Sequence, residues 1–228
     1  SRTPTLEPET CFDSTTGKVR IIDLQEKIPE STDQPVYLVQ LMKISDVTFL
    51  VFFDTGANIH LVDGNFAEQV KLQVVNQSPT TFRAAGDSEV KTEFGTYRLN
   101  VGPTAEGKYH EIIAHGVSPV TGQFPLFEFE KINQEVVEAG LISPSTPLPR
   151  QVGGTPVQLL IGIKSVAAQP KLLHQMDNGL GIYLSPFADV FGSRICYGGT
   201  HESLSEQVRG SNFLSDGLRS TLRDLGRQ

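Results

Sequence analysis

The chain has 228 residues, enough for one sizeable hydrophobic core or two small ones, and its hydrophobic (38%) and charged (20%) fractions exclude a fibrous or wholly disordered protein. A formal net charge of -7, with Lys and Arg nowhere dense, argues against direct contact with nucleic acid. No apolar run approaches the roughly 20 residues that cross a bilayer, and Ser1-Arg2-Thr3-Pro4 is not a signal peptide, so a soluble intracellular protein is expected.

Residues 1–34 are rich in Pro, Ser and Thr and read as a linker with at most one strand, at Val19, Ile21, Ile22 and Leu24. A domain is expected over 35–201. It opens with two β-rich runs, Val36 to Ile44 and Val47 to Phe53, joined by Ser45-Asp46 as a hairpin. A second hairpin is predicted from Thr80 to Val101, turning at Ala84-Ala85-Gly86-Asp87-Ser88, with Tyr97, Leu99 and Val101 alternating on its return arm. A further strand pair is predicted between Tyr109 and Val117. Between Phe127 and Ile142 the spacing of Ile132, Val136, Val137 and Leu141 predicts a helix. A loop carrying Pro144, Pro147, Pro149, Gly153 and Gly154 then leads to the apolar run Val157 to Ile161. The chain turns briefly helical after Gly162 and returns to strand texture from Gly179 to Tyr197. From Glu202 onward it reads as a tail, either a linker or a short helix bearing Leu214, Leu218, Leu222 and Leu225.

The segment that carries chemistry is Phe52-Phe53-Asp54-Thr55-Gly56-Ala57-Asn58, in which an apolar strand delivers a carboxylate to a turn that closes on glycine. Peptide hydrolysis at mild pH without a metal needs an acid and a base on either side of one water. Two carboxylates close enough to share a proton supply both, because they do not ionise together readily and their pKa values split. Gly56 lets the backbone approach the carboxylate, and the Thr55 hydroxyl can lock the turn. Two other aspartates sit in superficially similar surroundings. In Asp13-Ser14-Thr15-Thr16-Gly17 the glycine comes too late to close a loop beneath the carboxylate, and Asp177-Asn178-Gly179 is turn chemistry without a hydroxyl residue. One chain therefore offers one such aspartate, and a site needing two has to form at a two-fold axis between two copies. The five histidines, His60, His110, His115, His174 and His201, show no metal spacing. No Gly-x-Ser-x-Gly elbow is present, Cys196 has no partner for cysteine catalysis, and Cys11 and Cys196 read as free thiols.

Asp54-Thr55-Gly56-Ala57 after an apolar strand resembles the signature of the retropepsin-like aspartic proteases, and Leu159-Leu160-Ile161-Gly162 resembles the strand that threads behind their catalytic loop. Leu160-Ile161-Gly162-Ile163, followed by Gly179-Leu180-Gly181-Ile182-Tyr183 and by the run from Ser193 to His201, is most similar to the Pao/BEL retrotransposon class. The resemblance covers about Val36 to His201. It departs from compact viral relatives in placing more than a hundred residues between Asp54 and Gly162, with an insert from Phe124 to Gly154.

The resemblance implies an all-β, retropepsin-like acid protease fold with one or two short helices and an active site at a homodimer two-fold. It implies catalytic roles for Asp54, Thr55 and Gly56, contacts to an extended polypeptide from Ala57, Asn58 and a flap tip of Ala85, Gly86, Asp87 and Ser88, and structural support from Leu160, Ile161 and Gly162. No cofactor or metal is implied. The expected setting is cytoplasmic, a virus-like particle included, with a retroelement polyprotein as substrate. A domesticated dimerisation or peptide-binding module without turnover, and a regulatory protease acting on a host protein, share the same residues.

Overall fold

The computed structural model describes residues 34–83 and 89–201. The expected linker up to residue 33, the turn residues Ala84, Ala85, Gly86, Asp87 and Ser88, and the tail from residue 202 lie outside the described residues, as do Cys11 and the Asp13 segment.

The chain enters through β1 (Gln34–Val36), β2 (Val39–Ile44) and β3 (Val47–Asp54), then β4 (Leu61–Asp63) and α1 (Gly64–Gln69). There follow β5 (Gln73–Asn76), β6 (Thr81–Arg83), β7 (Glu89–Lys91), β8 (Thr96–Val101) and β9 (His110–Val117). The last third holds β10 (Phe127–Glu128), α2 (Glu130–Glu138), β11 (Gln151–Val152), β12 (Leu159–Gly162), a 3-10 turn at Val166–Ala168, β13 (Lys171–Gln175), β14 (Leu180–Leu184) and β15 (Ile195–His201). The described residues thus form an all-β architecture with two short α-helices. Neither helix is long and apolar enough to cross a membrane.

A seven-stranded mixed sheet has the order β2-β3-β12-β4-β9-β8-β5, and a four-stranded antiparallel sheet has the order β1-β15-β14-β13. In the larger sheet β12 is inserted between β3, to which it runs parallel, and β4, to which it is antiparallel. Successive side chains of a strand point to opposite faces, and β3 uses both. Phe49, Val51 and Phe53 enter one core with Leu159, Ile161 and Ile112, while Leu50 enters a second core with Leu180, Ile182 and Tyr197. Burial on both faces accounts for its unbroken apolar run.

The β2–β3 hairpin forms as the sequence predicts, pairing Val39 with Phe52 through Ile44 with Val47, and Ser45 at its turn takes a left-handed φ of 53°. Val36, however, belongs to β1, which pairs with β15 in the smaller sheet. The predicted hairpin from Thr80 to Val101 is shorter than expected. Its arms are β6 and β7, while the return arm bearing Tyr97, Leu99 and Val101 is β8, a member of the large sheet paired with β9 and β5. The alternation was a core-sheet signal, because those three side chains are buried in the first core. The strand pair predicted between Tyr109 and Val117 is instead one strand, β9, which begins at His110 and is held by β8 on one side and β4 on the other.

The segment between β9 and β12 covers the smaller sheet. Its helix α2 buries Ile132 and Val136 and closes with Gly140 at φ +70°, the Leu141 amide returning to the Val136 carbonyl at 3.1 Å. The Tyr197 hydroxyl of β15 donates to Asn133 Oδ1 at 2.7 Å, and Asn133 Nδ2 donates to the Pro149 carbonyl at 2.7 Å. One helical residue thus fastens both the sheet and the proline loop.

Candidate active site

Asp54 is the last residue of β3 and stands in register with Gly162, the last residue of β12. The Gly56 amide donates to Asp54 Oδ1 at 2.8 Å, and the Ala57 amide reaches the Asp54 carbonyl at 3.3 Å, so the turn folds back on its own carboxylate. A Cβ at Gly56 would stand 3.2 Å from Asp54 Oδ1, tighter than most such contacts. Thr55, Gly56 and Asn58 are exposed, and Asp54 and Ala57 are half-buried. The chain thus presents a carboxylate at the mouth of a rigid strand, with an open turn on one side and solid backbone on the other.

That backbone is β12. Leu159, Leu160 and Ile161 are buried, and Gly162 presses so closely on the loop that a Cβ there would overlap the carbonyl oxygens of Ala57 and Ile59. Only glycine fits at this contact. The Ile163 amide then donates to the Ala57 carbonyl at 2.7 Å, stitching the loop to the residue after the strand. Both polar groups of Gly162 are taken: its amide donates to His60 Nδ1 at 3.1 Å, and its carbonyl accepts from Gln169 Nε2 at 2.9 Å. Gln169 Nε2 also donates to the Ile161 carbonyl at 2.8 Å.

Neither His60 nor Gln169 was a site candidate from sequence. His60 lies six positions past Asp54, at the entry to β4, and carries no pattern that separates it from an ordinary polar residue beside a strand. Its partner is 102 residues away in the chain. Gln169 follows the 3-10 turn, and its amide meets β12 only because that turn doubles back.

Asp54 continues the even-numbered side of β3, that of Leu50 and Phe52. On that side Tyr37 and Phe124 stack with ring centroids 4.6 Å apart, and Phe52 meets Phe124 edge-on at 5.0 Å. Tyr37 is exposed and the other two rings are half-buried, so an aromatic wall flanks the strand that carries the carboxylate. Phe124 comes from the insert, for which the sequence offered no role.

Of the residues singled out from sequence, the structure brings Asp54, Thr55, Gly56, Ala57 and Asn58 together with Leu160, Ile161 and Gly162. The flap residues Ala85, Gly86, Asp87 and Ser88 lie outside the described residues. Asp177-Asn178-Gly179 is the turn between β13 and β14, with Gly179 at φ +85°. Cys196 is buried, and burial pushes its thiol up to about 12, which leaves it unreactive near neutrality. A cavity of about 620 Å³ bordered by Lys43, Tyr109 and Asp189 lies by the β2–β3 turn, at the far end of β3 from Asp54.

Set beside known proteins, the chain matches no family model, no curated protein and no solved structure. What the site can do has to be read from its own residues.

Proposed function

We propose that the protein is an aspartic endopeptidase of the retropepsin type, in which two copies bring their Asp54 carboxylates together at a two-fold axis. The observation that carries this reading is the fit between the Asp54-Thr55-Gly56 turn and β12, where Gly162 is pressed without a Cβ against Ala57 and Ile59. A turn that merely ended a strand would not need a buried strand from more than a hundred residues away to support it.

In the proposed dimer one carboxyl is protonated and the other ionised. The ionised group takes a proton from the shared water as it attacks the scissile carbonyl, while the protonated group gives its proton to the carbonyl oxygen. The Gly56 amide keeps each carboxylate oriented, and Thr55 bonds across the axis. The β6–β7 hairpin acts as the flap over an extended polypeptide, whose apolar side chain rests on the wall of Tyr37, Phe52 and Phe124. A retroelement polyprotein is the proposed substrate.

Incubation with a peptide library, with and without a transition-state-mimicking aspartic protease inhibitor, tests the reading. Inhibitable cleavage whose specific activity falls on dilution is the expected result, since each protomer holds half a site. Binding of peptides without any cleavage would replace the protease with a peptide-binding module.

A further inference from the structure

We infer that His60 is a positioning residue for the Asp54 loop, acting only as a neutral imidazole, and that its protonation releases the loop. It uses both ring nitrogens. The Gly162 amide can only donate, so Nδ1, 3.1 Å away, must carry a lone pair. The ring proton therefore sits on Nε2, 2.9 Å from Ser165 Oγ, and is donated to that hydroxyl. The His60 carbonyl accepts from the His115 amide at 2.9 Å, fixing the residue to β9 as well.

The arrangement fails when a second proton arrives. An imidazolium has no acceptor, so Nδ1–H would face the Gly162 N–H, and a buried amide would lose its partner. Gly162 is the residue on which Ala57 and Ile59 rest, so the disturbance passes directly to the turn bearing Asp54. The groups that act on the ring are Lys164, after β12, and His110 and His115, on β9. All are cationic when charged. Burial first, and these charges second, hold His60 below an imidazole's ordinary value near 6.5. The loop is thus locked through neutral and mildly acidic pH and is released below it, which gives the acid limb of activity a conformational cause separate from the carboxyl pair.

Two measurements on the full chain decide the matter. Nitrogen-15 NMR of the imidazoles should show His60 as the Nε2–H tautomer near neutrality, with exchange protection of the Gly162 amide collapsing over the pH range in which the ring protonates. An Nδ1–H tautomer, or a Gly162 amide that stays protected through His60 protonation, overturns the inference. Neither result depends on the protease reading. The second measurement rests on that reading and follows kcat against pH in His60→Asn, whose Oδ1 keeps an acceptor for Gly162 but does not titrate. Its acid limb should move to lower pH relative to the wild type with KM little changed, and an unmoved limb overturns the inference. His60→Leu, which lacks the acceptor, should lose about 10²-fold in kcat, the scale of a small misplacement of catalytic groups. If Leu prevents folding, the tautomer and the Asn profile still decide. Absence of any cleavage would remove the protease reading and leave the tautomer measurement standing.

Discussion

Two hairpins among the described residues, β2–β3 and β6–β7, are built from the same kind of element and held very differently. β2–β3 is paired over the whole of β2, is buried on both faces of β3, and ends at Asp54 against the glycine of β12. β6–β7 is paired over three positions and makes a two-stranded sheet of its own, with Phe82 and Val90 half-buried and Thr81, Glu89 and Lys91 exposed. Its anchor is at the base, where the Thr92 amide donates to the Thr80 carbonyl at 3.0 Å and the buried Thr92 hydroxyl donates to the Gly116 carbonyl. Rigid placement of a reacting group calls for the first construction. A segment that must open and close calls for the second.

Substitutions at the rigid end should give the largest effects. On the protease reading proposed above, Asp54→Asn keeps the shape of the side chain but cannot take a proton from water, so turnover should fall by at least about 10³-fold while thermal unfolding and the proposed dimer are little altered. Cleavage at the wild-type rate in that variant would end the protease assignment. Next comes Gly162→Ala, which forces a methyl group into the Ala57 and Ile59 carbonyls. It should destabilise the protein by about 3 kcal/mol, the upper part of the range for overpacking, and denaturant melts measure the loss directly. A stability change within error would mean that the loop is not seated on β12 as described.

The sequence made the rigid part legible and the rest much less so, for physical reasons. β3 and β12 are apolar runs because both their faces are buried, and α2 shows its period because Ile132 and Val136 share one buried side. By contrast every residue of β5 and of β13 is exposed, so neither strand carries an alternating pattern, and β13 displays Leu172 and Leu173 side by side. Helix α1 has six residues, too few to establish a period, and depends on Asp63, whose Oδ1 accepts from the Phe66 amide at 2.9 Å. Within the site, the Asp54 turn was readable as a local motif. The support given by His60 and Gln169 was not, because each acts on β12 through contacts that exist only once the chain has folded.

A smaller effect should appear in the dependence of stability on pH. His60 and His115 are both held below an imidazole's usual 6.5, in each case by burial first and by Lys164 second. The unfolded chain then binds more protons than the folded one in the window just below 6.5. Their contribution is fully present above that value and is lost as pH falls through the depressed folded values. Urea midpoints should therefore decline as pH falls below an imidazole's usual 6.5, and His60→Asn should shallow the decline. Equal midpoints across that window would show that neither ring is buried in its neutral form.

The smallest change in stability should come from the lightly held hairpin, and there it should be accompanied by a change in function. Phe82 and Val90 are opposite one another, and a cross-strand pair of this kind contributes about 1 kcal/mol or less. Phe82→Ala should therefore leave the global unfolding midpoint almost where it is, since little of the core depends on β6. If the hairpin closes over substrate, the same substitution should raise KM and slow turnover several-fold, because closure relies on the pairing of two short arms. Hydrogen exchange separates this from a simple loss of folding. The amides of β6 and β7 should gain protection when a transition-state-mimicking inhibitor binds, while those of β2, already paired throughout, should not change. Equal exchange at β6 and β7 with and without inhibitor would remove the hairpin as the flap. The cover would then have to come from the insert, whose Phe124 already stands against Phe52, two residues before Asp54 on β3.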